Sequence, residues 1–306
     1  MAKSSYNINH VYRDINTING YFGVENGGNV EFSNKTISTY CRYLTNSGYC
    51  RDYLEMASSG VIHLLTNLKK YNLEDDKLAE YAILWLRYKL NQKDPYYKTN
   101  LNDFYTNYIE KNKYYNNKIN GDGSPTYKDI IDTKKDLMDI KEMTKFSYPF
   151  KILLFLYNEI NKNTSNCTNS DYAKKFADEF EKLNKDSNHI ENSSYNKILS
   201  TVSDDYNNLI NKCTDFPPLP ELTPQKRPAE ISGKGSERIL GHTSEATSSS
   251  SSMLSTLIPG LSVVSVIPVF LGIAYKYSLF GIDKIFQRQY IRKKLKKVKK
   301  KMKLNI

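Results

Sequence analysis

One uncharged run limits what this chain can become. No charged residue stands between Glu245 and Lys276, and the stretch from Met253 to Tyr275 (MLSTLIPGLSVVSVIPVFLGIAY) is predominantly apolar. A helix of that length crosses roughly 30 Å of hydrocarbon, so residues 253–275 are expected to form a single transmembrane helix in contact with the lipid bilayer. Pro259, Gly260, Pro268 and Gly272 would break a soluble helix more readily than a membrane one, where neighbouring groups re-satisfy the freed carbonyls. Residues 276–306 follow with twelve Lys/Arg against Asp283 alone, which is the entire +11 of the chain. Basic residues flanking a span stay on the cytosolic side. The expectation is a short basic cytosolic tail over 276–306, with residues 1–252, whose charges balance, on the non-cytosolic side. Basicity confined to an appendage also argues against nucleic acid as a partner.

The opening residues, MAKSSYNINHVYRDINTING, contain no apolar core of signal-peptide length. The expected route across the membrane is therefore the C-terminal span itself or a dedicated export pathway. Residues 1–30, with Gly20, Gly23, Gly27, Gly28 and many Asn, read as a loop-like N-terminal segment.

Over 31–213 the apolar residues recur three or four apart, the spacing of one helix face. Leu78, Tyr81, Ala82, Trp85 and Tyr88 mark a helix at 77–90, and Tyr172, Phe176, Phe180 and Leu183 mark another within 168–187. Tyr195, Ile198, Leu199, Val202, Tyr206, Leu209 and Ile210 mark a third over 195–212. Ser124 followed by Pro125 predicts a cap and first turn opening a helix at 126–138. Further helices are predicted at 51–70, 97–118 and 140–160. No stretch alternates convincingly, so the fold class expected is an all-α helical ectodomain. Trp85, Tyr81, Leu78, Phe176 and Phe180 are its predicted core. Because Ile83, Leu84 and Leu86 make the turn around Trp85 apolar on nearly every side, the only tryptophan is read as a packing residue and not a ligand contact. After this domain, residues 214–252 hold five of the ten prolines and close on Ser248–Ser252, the composition of an extended Pro/Ser-rich stalk.

The four cysteines, Cys41, Cys50, Cys167 and Cys213, allow three pairings. Helices over 168–187 and 195–212, folded as an antiparallel hairpin, bring Cys167 beside Cys213 and leave Cys41 for Cys50. Buried free thiols are the alternative, and they follow if the domain faces a reducing cytosol.

Signatures of catalysis are missing. The sequence has no GxxxxGK, HExxH, GxSxG or CxxC motif, and His10, His63, His189 and His242 are scattered, so neither a cofactor nor a metal site is expected and the chain is not read as an enzyme. His63, between Ile62 and Leu64, reads as a core-edge residue. The acid pairs Asp75-Asp76 and Asp204-Asp205 read as solvated charge on polar helix faces. PPLP at Pro217–Pro220 reads as stalk, since the cytosolic modules that bind such segments lie across the membrane. Sequons at Asn34, Asn163, Asn166 and Asn192 arise readily in an Asn-rich chain. In the tail, Ile291, Leu295, Val298 and Met302 are spaced 4, 3 and 4 apart. If helical, they form an apolar stripe flanked by lysines and suited to an anionic leaflet. The other reading of the tail is a topology determinant with no further role.

The segments YAILWLRYKLNQK (81–93), DFYTNYIEKNKYYNNKING (103–121), YKDIIDTKKDLMDIKEM (127–143) and YNKILSTVSDDYNNLINKC (195–213), followed by a Pro/Ser stalk, a span and a lysine-rich end, resemble the Plasmodium interspersed repeat (PIR) proteins, in the Cir/Yir/Bir branch of rodent malaria parasites. The resemblance covers about residues 30–213 and the C-terminal region. It implies a variant surface antigen, exported into the infected erythrocyte, displayed at or near its surface and acting in immune evasion. Host receptor or antibody would then meet the ectodomain, and anionic lipid or cytoskeleton the tail. The competing class is a structural or remodelling membrane protein that works through that tail. Members of the family carry additional cysteines early in the chain, whereas this sequence has only Cys41 and Cys50 there.

Overall fold

The computed structural model describes residues 6–25, 30–41, 49–160, 167 and 169–226. The expected span at 253–275 and the tail with Ile291, Leu295, Val298 and Met302 lie outside the described residues. Among the described residues no helix is long and apolar enough to cross a membrane.

The N-terminal segment departs from its loop-like reading. Residues Ile8–Asn19 form helix α1, opened by Asn7, whose side chain accepts from the Asn9 amide, and burying Ile8, Val11, Tyr12, Ile15 and Ile18. Those intervals of 3, 1, 3 and 3 make one amphipathic face; the surrounding Asn and Gly obscure it. A second departure follows at once. Strands β1 (Phe22–Glu25) and β2 (Val30–Ser33) pair antiparallel, with Gly23 opposite Phe32 and Val24 opposite Glu31. A Cβ on Gly23 would lie 2.9 Å from the Phe32 ring, so glycine makes room for the cross-strand aromatic. The domain is therefore mostly helical, in keeping with the all-α expectation, and carries one short two-stranded ribbon besides.

The rest is a helical bundle built around α3 (Asp75–Leu90), in which every residue from Leu78 to Leu90 is buried. Such a helix has no solvent face because it is enclosed on several sides: by α2 (Tyr53–Lys69), by α5 (Tyr127–Asp132) and by α6 (Met143–Ile160). Trp85 is fully buried, and its ring lies over Gly60 of α2, where an added Cβ would sit 2.2 Å from Cη2. Helix α1 lies on α6, with Tyr12 stacked on Tyr157 at 4.1 Å. Helices α7 (Ser170–Asn184) and α8 (Ser194–Ile210) form the antiparallel hairpin, held by the Phe176–Tyr206 stack at 4.4 Å. Cys167 is bonded to Cys213 across its open end with Cα atoms 5.4 Å apart, and Cys41 is bonded to Cys50 at the same Cα separation.

Two predicted helices are shorter than expected, the first because capping side chains restart it. The region 97–118 divides into a 3-10 turn at Tyr96–Lys98, helix α4 (Leu101–Phe104), a π-turn at Tyr105–Ile109 and a 3-10 turn at Lys113–Asn116. Asn100 accepts from the amides of Asn102 and Asp103, and Asn112 accepts from the amide of Tyr114. Asparagine offers the backbone this local partner, which favours new starts over a continuous helix. The helix predicted from Ser124-Pro125 is capped instead by Thr126: its hydroxyl accepts from Asp129 N at 3.1 Å, and Asp129 accepts from Thr126 N at 2.9 Å. This capping box opens α5, which ends at Asp132 and is followed by a 3-10 turn at Lys135–Asp139.

The first part of the expected stalk belongs to the domain. Phe216 is buried, and Pro217 O accepts from the Tyr206 hydroxyl at 3.0 Å. Asn184 then clamps the chain twice, donating to Glu221 O at 2.8 Å and accepting from Thr223 N at 3.0 Å. Gln225 pairs with the turn between α7 and α8 through His189 O and Glu191 N. Proline-rich backbone keeps its carbonyls free, and the hairpin supplies the donors. Residues 214–225 thus run back along α8 as a strap, from the disulfide to the opposite end of the hairpin.

Candidate functional site

The polar chemistry of the domain converges on Asp205, on the inner face of α8. It was read as half of a solvated acid pair, but it is only 3% exposed. The Tyr12 hydroxyl of α1 donates to Oδ2 at 2.8 Å, and the Tyr81 hydroxyl of α3 donates to the carboxylate at 2.9 Å. Tyr157 of α6 donates to the Asp205 carbonyl at 2.6 Å. One residue thereby ties four helices together. Burial pushes its carboxyl up to about 7 against the pull of Lys77 and the two hydroxyl donors, and burial likewise raises Tyr12, Tyr81 and Tyr157. Further polar contacts gather on the same side of α3. Thr201 donates to Glu80 at 2.7 Å, Lys77 donates to Thr201 at 2.6 Å, and Lys134 pairs with Glu80 at 2.9 Å and with Asp76 at 3.3 Å.

Lys89, also on α3, is the corresponding buried cation, 1% exposed. Its ammonium donates to Phe22 O at 2.6 Å, Asn19 Oδ1 at 3.1 Å and Asn19 O at 3.3 Å, and it lies 4.3 Å from the Phe22 ring centre. It closes the C-terminal end of α1 and fixes the start of β1. Burial lowers the amine to about 7.

These groups hold helices and do not face a cleft. The remaining candidates behave alike. His63 hydrogen-bonds Thr36 O through Nε2 at 2.8 Å, between the rings of Tyr21 and Tyr40, and its burial lowers the imidazole pKa. His189 has both nitrogens engaged, by Asn184 O and Asn196 Oδ1. Among the described residues no cluster of His, Cys, Asp or Glu has the makings of a metal site. The predicted core residues Leu78, Tyr81, Trp85, Phe176 and Phe180 are all fully buried.

The most exposed features of the domain lie on its connecting segments. Tyr49 and Tyr97 are the large hydrophobic side chains most exposed among the described residues, at 49% and 41%. Gly121 and Gly123 take positive φ at the tip between the Lys113–Asn116 turn and α5, with nothing within 4 Å of where a Cβ would stand. A shallow open depression at the α2–α3 turn is lined by Lys69, Asn72, Leu73, Glu74 and Asp75. The two internal clasps were missed from sequence, although Asp205 carried a signal: it lies three residues after Val202 and four before Leu209, on the apolar stripe itself.

The domain is mostly helical and disulfide-stapled, and its buried ionisable side chains are engaged in internal hydrogen bonds. The family described as Plasmodium variant antigen protein Cir/Yir/Bir matches residues 12–276, and the chain belongs to that family. Among solved structures it is similar to a Plasmodium PIR protein ectodomain, with 32% identity over 72% of this chain and 99% of that one and a TM-score of 0.55. A comparison with curated proteins finds no match.

Proposed function

We propose that this protein is a variant antigen exported to the infected red cell, anchored by residues 253–275, with residues 31–213 displayed outward for immune evasion or receptor contact. The observation that carries the reading is the internal engagement of Asp205, Lys89, His63 and His189, which leaves the helix-connecting segments as the surface available for recognition. Exposed positions on such segments tolerate sequence change better than the packed helices do. The +11 tail supports the cytosolic placement of residues 276–306. The same tail supports a second reading, a remodelling protein that works on anionic lipid or cytoskeleton from inside the host cell. Antibody against residues 31–213, applied to intact and to permeabilised infected cells, separates the two. Staining of intact cells is expected; staining only after permeabilisation rejects outward display and leaves the tail reading.

A further inference from the structure

The tripeptide Ile-Asn-Gly stands at two places in the chain, residues 18–20 and 119–121. An asparagine followed by glycine carries its own nucleophile: with no Cβ in the way, the glycine amide nitrogen can reach the side-chain carbonyl carbon of the asparagine. The fold treats the two copies differently.

At the first copy both reacting groups are held. Gly20 N donates to Asn16 O and Thr17 O, each at 3.2 Å, at the end of α1. The Asn19 side chain accepts from Lys89 at 3.1 Å through Oδ1 and donates to the Tyr88 hydroxyl at 3.4 Å through Nδ2.

The second copy stands at the tip of the loop before α5. The base of that loop is paired, Ile119 N donating to Pro125 O at 3.1 Å and Tyr127 N to Asn117 O at 3.2 Å. Above it Asn120 N donates to the Ser124 hydroxyl at 3.0 Å, and Gly121 O accepts from that hydroxyl at 2.7 Å and from Ser124 N at 3.2 Å. These bonds use neither reacting group: among the described residues the Asn120 side chain and the Gly121 N–H have no partner. Asn120, Gly121 and Asp122 are all exposed. Gly121 has φ +83°, so the turn itself favours the residue that makes the preceding asparagine reactive.

We propose that Asn120 is a self-modifying site, at which the Gly121 amide closes on the side chain and turns the tip into aspartate and isoaspartate while Asn19 stays intact.

The Gly121 nitrogen loses its proton and bonds to Cγ of Asn120. The Cγ–Nδ2 bond breaks, and the amide leaves as ammonia carrying that proton. Water then opens the succinimide. Cleavage of the Cγ–N bond gives aspartate; cleavage at the main-chain carbonyl gives isoaspartate, in which the chain runs through Cγ and is one methylene longer. Either product sets a new carboxylate near Asp122, whose own carboxylate lies 3.8 Å from Lys118. An uncharged position at the tip thus becomes acidic as the molecule ages, with no change in the encoded sequence.

Full-length protein in detergent micelles, held at 37 °C and pH 7.4 and sampled over successive days, is mapped by mass spectrometry, with enzymatic methylation of isoaspartate as a second label. The Asn26-Gly27 step, outside the described residues, is read from its own peptide. Asn120 is expected to convert on the order of tenfold or more faster than Asn19, because Asn19 reacts only when the end of α1 opens. Conversion should be faster at pH 8.5 than at pH 6, since the attacking amide must lose a proton. In guanidinium the two copies, which share their tripeptide, should convert at matching rates. An Asn120 that stays an amide in the folded protein, equal rates at the two copies in the folded protein, or a difference that persists unchanged in guanidinium overturns the proposal.

Discussion

Gly60 and Trp85 show how narrowly one contact is set. The tryptophan ring fills the space a Cβ would need, with the hypothetical atom only 2.2 Å from Cη2. Gly60→Ala therefore has to displace the largest side chain of the core, and overpacking of this kind costs about 1–3 kcal/mol. Trp85→Ala removes the ring and costs about 3–5 kcal/mol. Combining them should be less than additive, because the methyl then enters a vacated space. Denaturant unfolding of the four forms of residues 1–226 tests this, and full additivity would show that the two positions do not meet. Trp85 was legible in the sequence because its neighbours are apolar all round. Its partner was not, since a glycine within a helical pattern gives no sign of what passes over it. Asp205 was misread for a related reason: it stands beside the solvated Asp204, and periodicity had to outweigh that pairing.

At the scale of elements, the apolar stripes gave α2, α3, α6, α7 and α8 nearly at their observed bounds, because each buries a continuous face. Where burial is shorter, local hydrogen bonding decides, and the stripe alone misleads. Residues 97–118 contain enough apolar positions for one helix, yet Asn100 and Asn112 each restart the chain. Asn112 is the more consequential, being 2% exposed and also donating to Tyr40 O at 2.9 Å. Asn112→Ala is expected to cost about 1–3 kcal/mol, from the lost cap and the lost hydrogen bond to the part-buried Tyr40 carbonyl. Asn100→Ala, at an exposed position, should lose the cap alone, about 1 kcal/mol. Thermal melts that rank the two in the other order would contradict this account. Helix α1 was obscured by composition: Asn, Thr and charged residues interleave its apolar positions, and only Ile8, Val11, Tyr12, Ile15 and Ile18 carry the periodic signal.

For the whole molecule, the order of domain, proline-rich connection, apolar run and basic end was readable from charge and hydropathy, but the boundary of the domain was not. Composition marks residues 214–225 as stalk, while their carbonyls and amides are taken up by Tyr206, Asn184 and the α7–α8 turn. The Cys167–Cys213 bond, spanning 46 residues, closes the hairpin where this strap begins. Chain-entropy reasoning gives it roughly 4 kcal/mol, so reduction should lower the unfolding midpoint of the ectodomain, while peptide mapping without reductant recovers both cysteines in one fragment. Free, alkylatable Cys167 and Cys213 in the mature protein would refute the bond. The direction of the strap has a mechanical consequence. A pull exerted on the chain beyond Lys226, along the line from Cys213 to Gln225, loads the strap's hydrogen bonds side by side in shear and does not peel them singly. Should they slip, the disulfide is the stop that keeps the force from reaching α8 and unwinding the bundle.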